Sequence, residues 1–306
     1  MMKSFEDILE AAKGAKPARL VTFLREPDLD PICRAAAAGF IIPCFIGNRK
    51  AIEKMTGKSP LALLEHEIVD ERSPGGALRR AISLIREKRA DMLMQGGFDQ
   101  NAFLADVLDA RTGLLKGKAA SYASVFELSE SGKLIIVTDT FLNNYPTLTE
   151  KRLILENALS LSAILGIDTP KVSVLAAIEQ VNPGIPSTLD AAILSKMSER
   201  GQFGKALVDG PLDIDCSLSH LAAKRKGIKS SVTGNVDIYL VPEIDTGYLL
   251  AESLVCFGKI HAAGMVMGTT NPVILDVPFV SDECRLVEIA LASLALSRGE
   301  GDGQAV

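Results

Sequence analysis

Two short apolar runs on either side of a helical pattern constrain the fold of this chain most strongly. The runs are residues 236–242 (VDIYLVP) and 262–268 (AAGMVMG), and each is too short for a helix and ends at proline or glycine. Between them Leu250, Leu254 and Phe257 recur at helical spacing. The stretch predicts a strand–helix–strand unit, which places its loops and usually its ligand at the carboxyl ends of the strands.

Strand, loop and helix patterns alternate through the first third of the chain and restart at Thr149. This alternation predicts an α/β fold with a mostly parallel sheet. At 306 residues the chain is long for one domain, so we expect two lobes. Two further runs, residues 122–128 and 133–139, flank the polar loop SESG and predict an antiparallel hairpin. Residues 281–296 predict a final helix that is buried on several sides.

Composition restricts the class of partner and the compartment. The net charge of −5 argues against nucleic acid and anionic membrane as partners. The N-terminus lacks an apolar core of signal-peptide length, and no apolar run is long enough to cross a membrane, so we expect a cytoplasmic protein. Five widely spaced cysteines without a CxxC pair favour free thiols in a reducing compartment, and three scattered histidines give no metal-ligand spacing.

Polar residues follow several predicted strands and are candidates for contact with a ligand. They are Asp139, Asn182, Thr188, Asp209, Asp215 and Asn271. Sheet topology would bring several of them to one crevice, where they would bind substrate. Aspartate, asparagine and threonine at such points also cap helices and form turns. The sequence leaves both interpretations open for each residue.

Several motifs in order resemble one enzyme family. Residues 181–202 (VNPGIPSTLDAAILSKMSERGQ) are similar to the phosphate butyryltransferase pattern of VNP, a second proline and then T.DA..LSKM..RGQ. Residues 208–215 (VDGPLDID) resemble the DGPL..D motif of that family. Residues 237–254 and 262–275 resemble the C-terminal region of phosphate butyryltransferases and, more distantly, of phosphate acetyltransferases. The similarity is continuous over residues 90–297.

This resemblance implies a fold and a reaction. The fold would be two-lobed, three-layer α/β/α and similar to isocitrate and isopropylmalate dehydrogenases, with residues 1–142 and 268–306 in the first lobe and 143–267 in an inserted second lobe. The reaction would move a short acyl group, butyryl or branched, between CoA and inorganic phosphate. CoA and acyl-CoA would be substrates, with no bound cofactor and no metal, and the protein would be a homodimer.

The chain departs from the family at five positions. The family carries Ser followed by Arg in the loop after the strand PVIL, where this chain has Val277 and Pro278. It carries Lys where this chain has Gln95, Arg where this chain has Ala105, and Asn where this chain has Tyr248. Proline has neither a charge nor a backbone donor, so Pro278 cannot bind a phosphate dianion as arginine does.

The resemblance implies Glu283 as a catalytic acid or base, with Ser281 beside it as a second catalytic candidate. Glu283 also has a structural interpretation, because Ser281 at an N-cap would place it where a helix dipole favours negative charge. Lys196 is the cation expected to bind substrate. Other candidates to replace the missing arginine are Arg111, Arg200 and Arg285.

Two alternatives to acyl transfer remain open. The first is a diverged paralogue that binds CoA or an acyl ligand without transferring it, as a partner subunit. The second is a dehydrogenase on the same fold, although the sequence has no GxGxxG fingerprint after its first strand.

Overall fold

The computed structural model describes residues 1–128 and 132–299, and it forms two compact units. The terminal unit comprises Phe5–Ala120 and the chain from His261 onward, and the central unit comprises Ser121–Ile260 with Met1–Ser4. The strands are β1 Ala18–Thr22, β2 Ile41–Gly47, β3 Glu67–Asp70, β4 Met92–Met94, β5 Ser121–Leu128, β6 Lys133–Thr138, β7 Lys171–Leu175, β8 Leu207–Leu212, β9 Ile238–Leu240, β10 His261–Met267 and β11 Val273–Ile274. The helices are α1 Phe5–Ala12, α2 Leu29–Ala37, α3 Arg49–Thr56, α4 Pro74–Arg86, α5 Gln100–Val107, α6 Leu148–Ile164, α7 Pro186–Glu199, α8 Ile214–Leu218, α9 His220–Arg225, α10 Ile244–Cys256 and α11 Arg285–Gly299.

The terminal unit is built on the strand order β3-β2-β1-β4-β11-β10. The first five strands of that order are parallel, and β10 runs antiparallel to β11. Helix α11 contacts α1, α2 and β10, and every residue from Leu286 to Leu294 is buried. The prediction of a final helix buried on several sides is therefore confirmed.

The central unit is built on the strand order β5-β6-β9-β7-β8. Strands β5 and β6 form the predicted antiparallel hairpin, while β6, β9, β7 and β8 are parallel. Residues 129–131 of the predicted hairpin loop lie outside the described residues. Helix α6 begins at a capping box, in which Thr147 and Glu150 satisfy each other's backbone amides, and it packs on β5 and β6.

The predicted strand–helix–strand unit was wrong in its pairing. Strand β9 pairs with β6 and β7, whereas β10 pairs with β11, and the two strands belong to different compact units. The two apolar runs form strands β9 and β10, and helix α10 lies between them in sequence. The spacing of apolar residues, however, carries no information about strand partners. Helices α8 and α9 are separate, because the extended backbone of Ser219 ends α8 and caps α9.

The compact units divide between residues 120 and 121 and between 260 and 261, rather than at the expected 142/143 and 267/268. Strand β6 pairs with β9, so the β5–β6 hairpin belongs to the central sheet. Met2 also belongs to the central unit, where its amide donates a hydrogen bond to the carbonyl of Leu165 at 2.9 Å. Within the described residues, the structure contains no helix with the length and hydropathy needed to cross a membrane.

Candidate active site

A cleft of about 550 Å³ opens at the carboxyl edge of the terminal sheet. Its walls include the residues that follow successive parallel strands: Phe23 after β1, Asn48 after β2, Glu71 after β3, and Gly97 and Phe98 after β4. The strand order reverses direction between β1 and β4, and open α/β sheets bind their ligands at such switch points. The cleft is therefore the candidate substrate site of this unit.

Glycine holds the loops after β1 and β4 in close contact at this cleft. Gly96 has φ +52°, and a Cβ atom at this position would lie 2.2 Å from the carbonyl oxygen of Phe23. The amide of Gly97 donates to the same carbonyl at 2.6 Å. Only glycine fits position 96, because any side chain would separate the two loops.

The cleft combines apolar walls with a few charged groups. The rings of Phe23 and Phe98 lie 4.8 Å apart and form an aromatic wall. Glu71 accepts hydrogen bonds from the amide and hydroxyl of Ser73, both at 3.0 Å, and these bonds lower the pKa of its carboxyl. Asp99 caps α5 by accepting from the amide of Ala102 at 2.9 Å. In the described chain, Arg72 is the only cationic residue that lines the cleft.

Ala105 also lines this cleft, and its side chain is exposed. This is the position at which the similar family carries arginine. Alanine leaves this part of the cleft wall without the cation that an arginine would supply, while Arg72 lines the same cleft.

The end of β11 carries a network of buried and half-buried charges that the sequence did not predict. The carboxylate of Asp276 accepts from Nη2 of Arg25 at 2.9 Å and from Nη2 of Arg285 at 2.6 Å. The amide of Asp276 donates to Oε1 of Gln95 at 3.0 Å. Arg285 also contacts Glu288, whose side chain is completely buried. A position two or three residues after a strand was the available signal for Asp276 and Arg25.

Arg285 does not serve as the free replacement cation that the sequence left open. Its side chain is 2% exposed, and it donates to the carbonyl of Leu275 at 2.7 Å in addition to its two carboxylates. Because carboxylates already neutralise the guanidinium, it supplies no net positive charge to a ligand.

The loop between β11 and α11 carries the positions that differ from the family. Val277 is buried and Pro278 is exposed. Ser281 and Glu283 are both exposed, and Ser281 precedes a 3-10 turn at Asp282–Cys284. Its hydroxyl makes no capping hydrogen bond to that turn within the described residues. Glu283 is thus accessible at the carboxyl edge, and both of its interpretations remain open.

Asn271 lies at the opposite edge of the terminal sheet from the cleft. Its Nδ2 donates at 3.0 Å to the carbonyl of Asp91, which directly precedes β4. The sequence did not predict this placement, because the antiparallel direction of β10 carries its carboxyl end to the amino end of its neighbours.

Asp139 in the central unit organises the turn after β6. Its carboxylate accepts from the amides of Tyr122, Phe141 and Leu142 at 3.2, 2.8 and 3.0 Å, and also from Asn143. The side chain is 2% exposed. Burial raises the pKa of its carboxyl, and the hydrogen bonds oppose that shift. These contacts favour the turn interpretation, and substrate binding by Asp139 stays a prediction.

Asn182 and Thr188 are brought together by the loop before α7. The hydroxyl of Thr188 accepts from the amide of Asn182 at 2.9 Å and donates to its carbonyl at 3.0 Å. Oδ1 of Asn182 accepts from the amide of Gly184 at 2.9 Å. Thr188 is buried while Asn182 is exposed, so only Asn182 is accessible for the predicted contact with substrate.

The other predicted residues of the central unit are spread over α7, β8 and α8. Lys196 is exposed and pairs with Glu199 on the same helix. Asp209 lies within β8 rather than after it, and accepts from the hydroxyl of Ser195 at 3.1 Å. Asp215 follows β8 and is exposed, 3.9 Å from Lys226. The structure does not bring these three side chains into mutual contact, and their substrate roles stay predictions.

One group of side chains in the described chain has metal-ligand geometry: Glu179, Asp213 and Cys216 offer ligand atoms within 4.8 Å of one another. Nζ of Lys226 lies 2.7 Å from Glu179 and contacts Asp213. Burial raises the pKa of Cys216 to about 12, which disfavours the thiolate that a metal needs. The ammonium group of Lys226 thus pairs with the two carboxylates that a metal ion would need as ligands.

A sequence model of the phosphate acetyl/butaryl transferase family matches residues 60–292. Phosphate butyryltransferase of Clostridium acetobutylicum is 36% identical over 296 residues, covering 96% of this chain and 98% of that protein. Phosphate acetyltransferase of Rhizobium meliloti is 34% identical over 298 residues, covering 96% and 94%. These matches extend over nearly the whole of both chains.

Solved structures of related proteins share the fold of this chain. A branched-chain phosphotransacylase from Enterococcus faecalis superposes with a TM-score of 0.78 at 25% identity, covering 91% of this chain and 99% of that one. A 4-hydroxythreonine-4-phosphate dehydrogenase from Klebsiella pneumoniae superposes with a TM-score of 0.52 at 12% identity, covering 92% and 100%, which shows the expected dehydrogenase-like fold alone. By sequence and by fold, the chain belongs to the phosphate acetyl/butyryl transferase family.

Proposed function

We propose that this chain is a phosphate acyltransferase that moves a short acyl group, butyryl or branched, between CoA and inorganic phosphate. The observation that carries the proposal is similarity over almost the full length of both chains to two clostridial phosphate butyryltransferases, at 36% and 34% identity. The branched-chain phosphotransacylase that shares its fold supports a short or branched acyl group.

The reaction sets clear physical requirements. A phosphate oxygen forms a bond to the thioester carbonyl carbon, the carbon–sulfur bond breaks, and CoA leaves as a thiolate that takes up a proton. The transition state needs donors near the developing oxyanion and a cation near the phosphate. We assign the proton transfer to Glu283, hydrogen-bond donation to Ser281 and the cation to Arg72, because all three are exposed in the terminal unit. No bound cofactor is needed for these steps.

A second candidate function is binding of CoA or an acyl ligand without transfer. The observation that favours it is the loop after β11, where buried Val277 and uncharged Pro278 replace the family's serine and arginine. Loss of one donor to an oxyanion costs about 100- to 1,000-fold in rate. On this alternative CoA raises the melting temperature while turnover is absent.

We also propose a cytoplasmic homodimer that associates through the central unit. The adjoining short helices α8 and α9 of this unit expose three apolar side chains, Ile214, Leu218 and Leu221. Apolar clusters of this kind on a protein surface mark interfaces with other proteins. Light scattering that gives the mass of a single chain would contradict this proposal.

Release of free CoA thiol from a panel of short acyl-CoAs, with and without phosphate, tests the proposed function. Transfer predicts thiol release that depends on phosphate and is fastest with butyryl or branched donors. Release that is equal with and without phosphate would indicate a hydrolase. Absence of release together with a CoA-induced rise in melting temperature would establish the binding protein instead.

A further inference from the structure

Arg25 sits between two carboxylates at the carboxyl edge of the terminal sheet. Its Nε donates to Oδ2 of Asp28 at 2.8 Å and its Nη2 to Oδ1 at 3.2 Å. Its other edge faces Asp276, with Nη2 to Oδ1 at 2.9 Å and Nη1 to Oδ2 in closer contact. Asp28 is 1% exposed, so a buried carboxylate fixes the guanidinium. Paired contacts on both edges set its orientation as well as its position.

Asp276 in turn fixes both ends of the loop at residues 277–284. It directly precedes the loop, and Nη2 of Arg285, which directly follows the loop, donates to its Oδ1 at 2.6 Å. Gln95 accepts from its amide at 3.0 Å. Glu283 and Ser281 therefore lie on a loop whose two ends meet at one carboxylate, and Arg25 holds that carboxylate from outside the loop.

Arg25 is poorly suited to bind the phosphate itself. Among the ion pairs of the described residues, Arg25 and Arg285 contribute two positive charges, while Asp28, Asp276 and Glu288 contribute three negative charges, a balance of −1. An anion placed here would be repelled by the unbalanced carboxylate. The contacts of Arg25 instead suit a role in holding the loop.

We infer that Arg25 is a positioning residue: through Asp276 it holds the loop at 277–284 in the geometry in which Glu283 acts. The inference rests on the proposed function for the role of Glu283, and on the ion pairs alone for the order of the loop. Displacement of a reacting group by about 1 Å can cost 100-fold in rate, so loss of the contact affects the chemical step.

The test compares Arg25→Met with Arg34→Met, which removes an exposed arginine of the same unit that lies 3.6 Å from Asp30. Arg25→Met is expected to lower kcat by about 10- to 100-fold while KM for acyl-CoA and phosphate changes by less than about 3-fold. Hydrogen exchange of amides in residues 277–284 is expected to accelerate by at least about 10-fold. Arg25→Lys should restore only part of kcat, because an ammonium group cannot contact two carboxylates with paired bonds. Arg34→Met should change neither kcat nor the exchange rate of residues 277–284.

Each outcome decides between roles. Wild-type kcat and wild-type exchange in Arg25→Met would overturn the inference, and an increase in KM at constant kcat would identify Arg25 as a substrate ligand instead. If Arg25→Met unfolds because Asp28 stays buried and charged, the double variant Arg25→Met/Asp28→Asn removes that charge and carries the same expectation. If the wild-type protein shows no transfer, the proposed function fails, and loop exchange alone then decides whether Arg25 orders the loop.

Discussion

Arg285 and Asp276 close the loop that follows β11, with Nη2 donating to Oδ1 at 2.6 Å across nine positions of sequence. Arg285 also contacts Glu288, which is completely buried in α11. The pair joins the beginning of the buried helix α11 to the end of the sheet. It therefore connects the core of the terminal unit to the loop that carries Glu283.

Substitution Arg285→Met should lower the free energy of unfolding by about 3–5 kcal/mol, because it removes the charged partner from a buried carboxylate. Urea unfolding measured alongside Arg34→Met checks this. The exposed control should change stability by less than about 0.5 kcal/mol. Equal stability of Arg285→Met and the wild-type protein would show that the network does not hold the terminal unit together.

Substitution Pro278→Arg should increase activity. Pro278 is exposed, so an arginine there meets no packed core, and it restores a cation at the position where the family carries one. We expect kcat/KM for phosphate to rise by at least about 10-fold, with Pro278→Met as the uncharged control. A rise of the same size in Pro278→Met would attribute the effect to loss of proline rather than to charge.

Cys256 should be the thiol that reacts rapidly in the native protein. The other cysteines, Cys33, Cys44, Cys216 and Cys284, are buried. Burial raises the pKa of all four, to about 12 for Cys44 and Cys216, so their reactive thiolates are scarce at neutral pH. Titration with a thiol-specific reagent is expected to find one fast group per chain, which Cys256→Ser removes. Fast reaction of further groups in Cys256→Ser would contradict the buried placement.

The ion pair of Lys226 with Asp213 should make the free energy of unfolding depend on pH in the acid range. Burial alone would raise the pKa of the Asp213 carboxyl, but hydrogen bonds from Lys226 and from the amide of Cys216 outweigh it and lower the pKa to about 2. The unfolded pKa is about 3.9, so the stabilisation is fully present above about pH 4 and is lost as pH falls towards 2.

Lys226→Met should therefore be less stable than the wild-type protein above pH 5, and the difference should shrink below pH 4. Urea unfolding between pH 3 and 6 measures this. Lys224→Met, which removes an exposed lysine of α9, serves as control and should show no such change with pH. A stability difference that stays constant down to pH 3 would exclude Asp213 as the titrating partner.

Local patterns in the sequence predicted the elements well and their partners less well. The β5–β6 hairpin and the buried α11 followed from alternation and apolar periodicity within short windows. The pairing of β9 and β10 did not, because strand partners are chosen by packing of residues far apart in sequence. The ion pair of Arg25 with Asp276 spans 251 positions, a separation at which no local pattern operates.

The site was predictable mainly through motifs. They indicated the family and placed the departures at Ala105, Val277 and Pro278, while the contacts made by Asp139 and Thr188 emerged only in the folded chain. Both residues could bind substrate or organise turns, and their hydrogen bonds with neighbouring amides favour the second role. Side-chain hydrogen bonds to nearby backbone are common for these residue types, so strand-end position alone could not separate the roles.

The most direct test of the account is the product balance of the reaction with butyryl-CoA and isotopically labelled inorganic phosphate. Transfer of the acyl group to phosphate predicts that label appears in an acyl phosphate in one-to-one proportion with the free CoA thiol released, after subtraction of the thiol of Cys256. Thiol release without labelled acyl phosphate, or no release from butyryl-CoA or any branched short acyl-CoA, would contradict it.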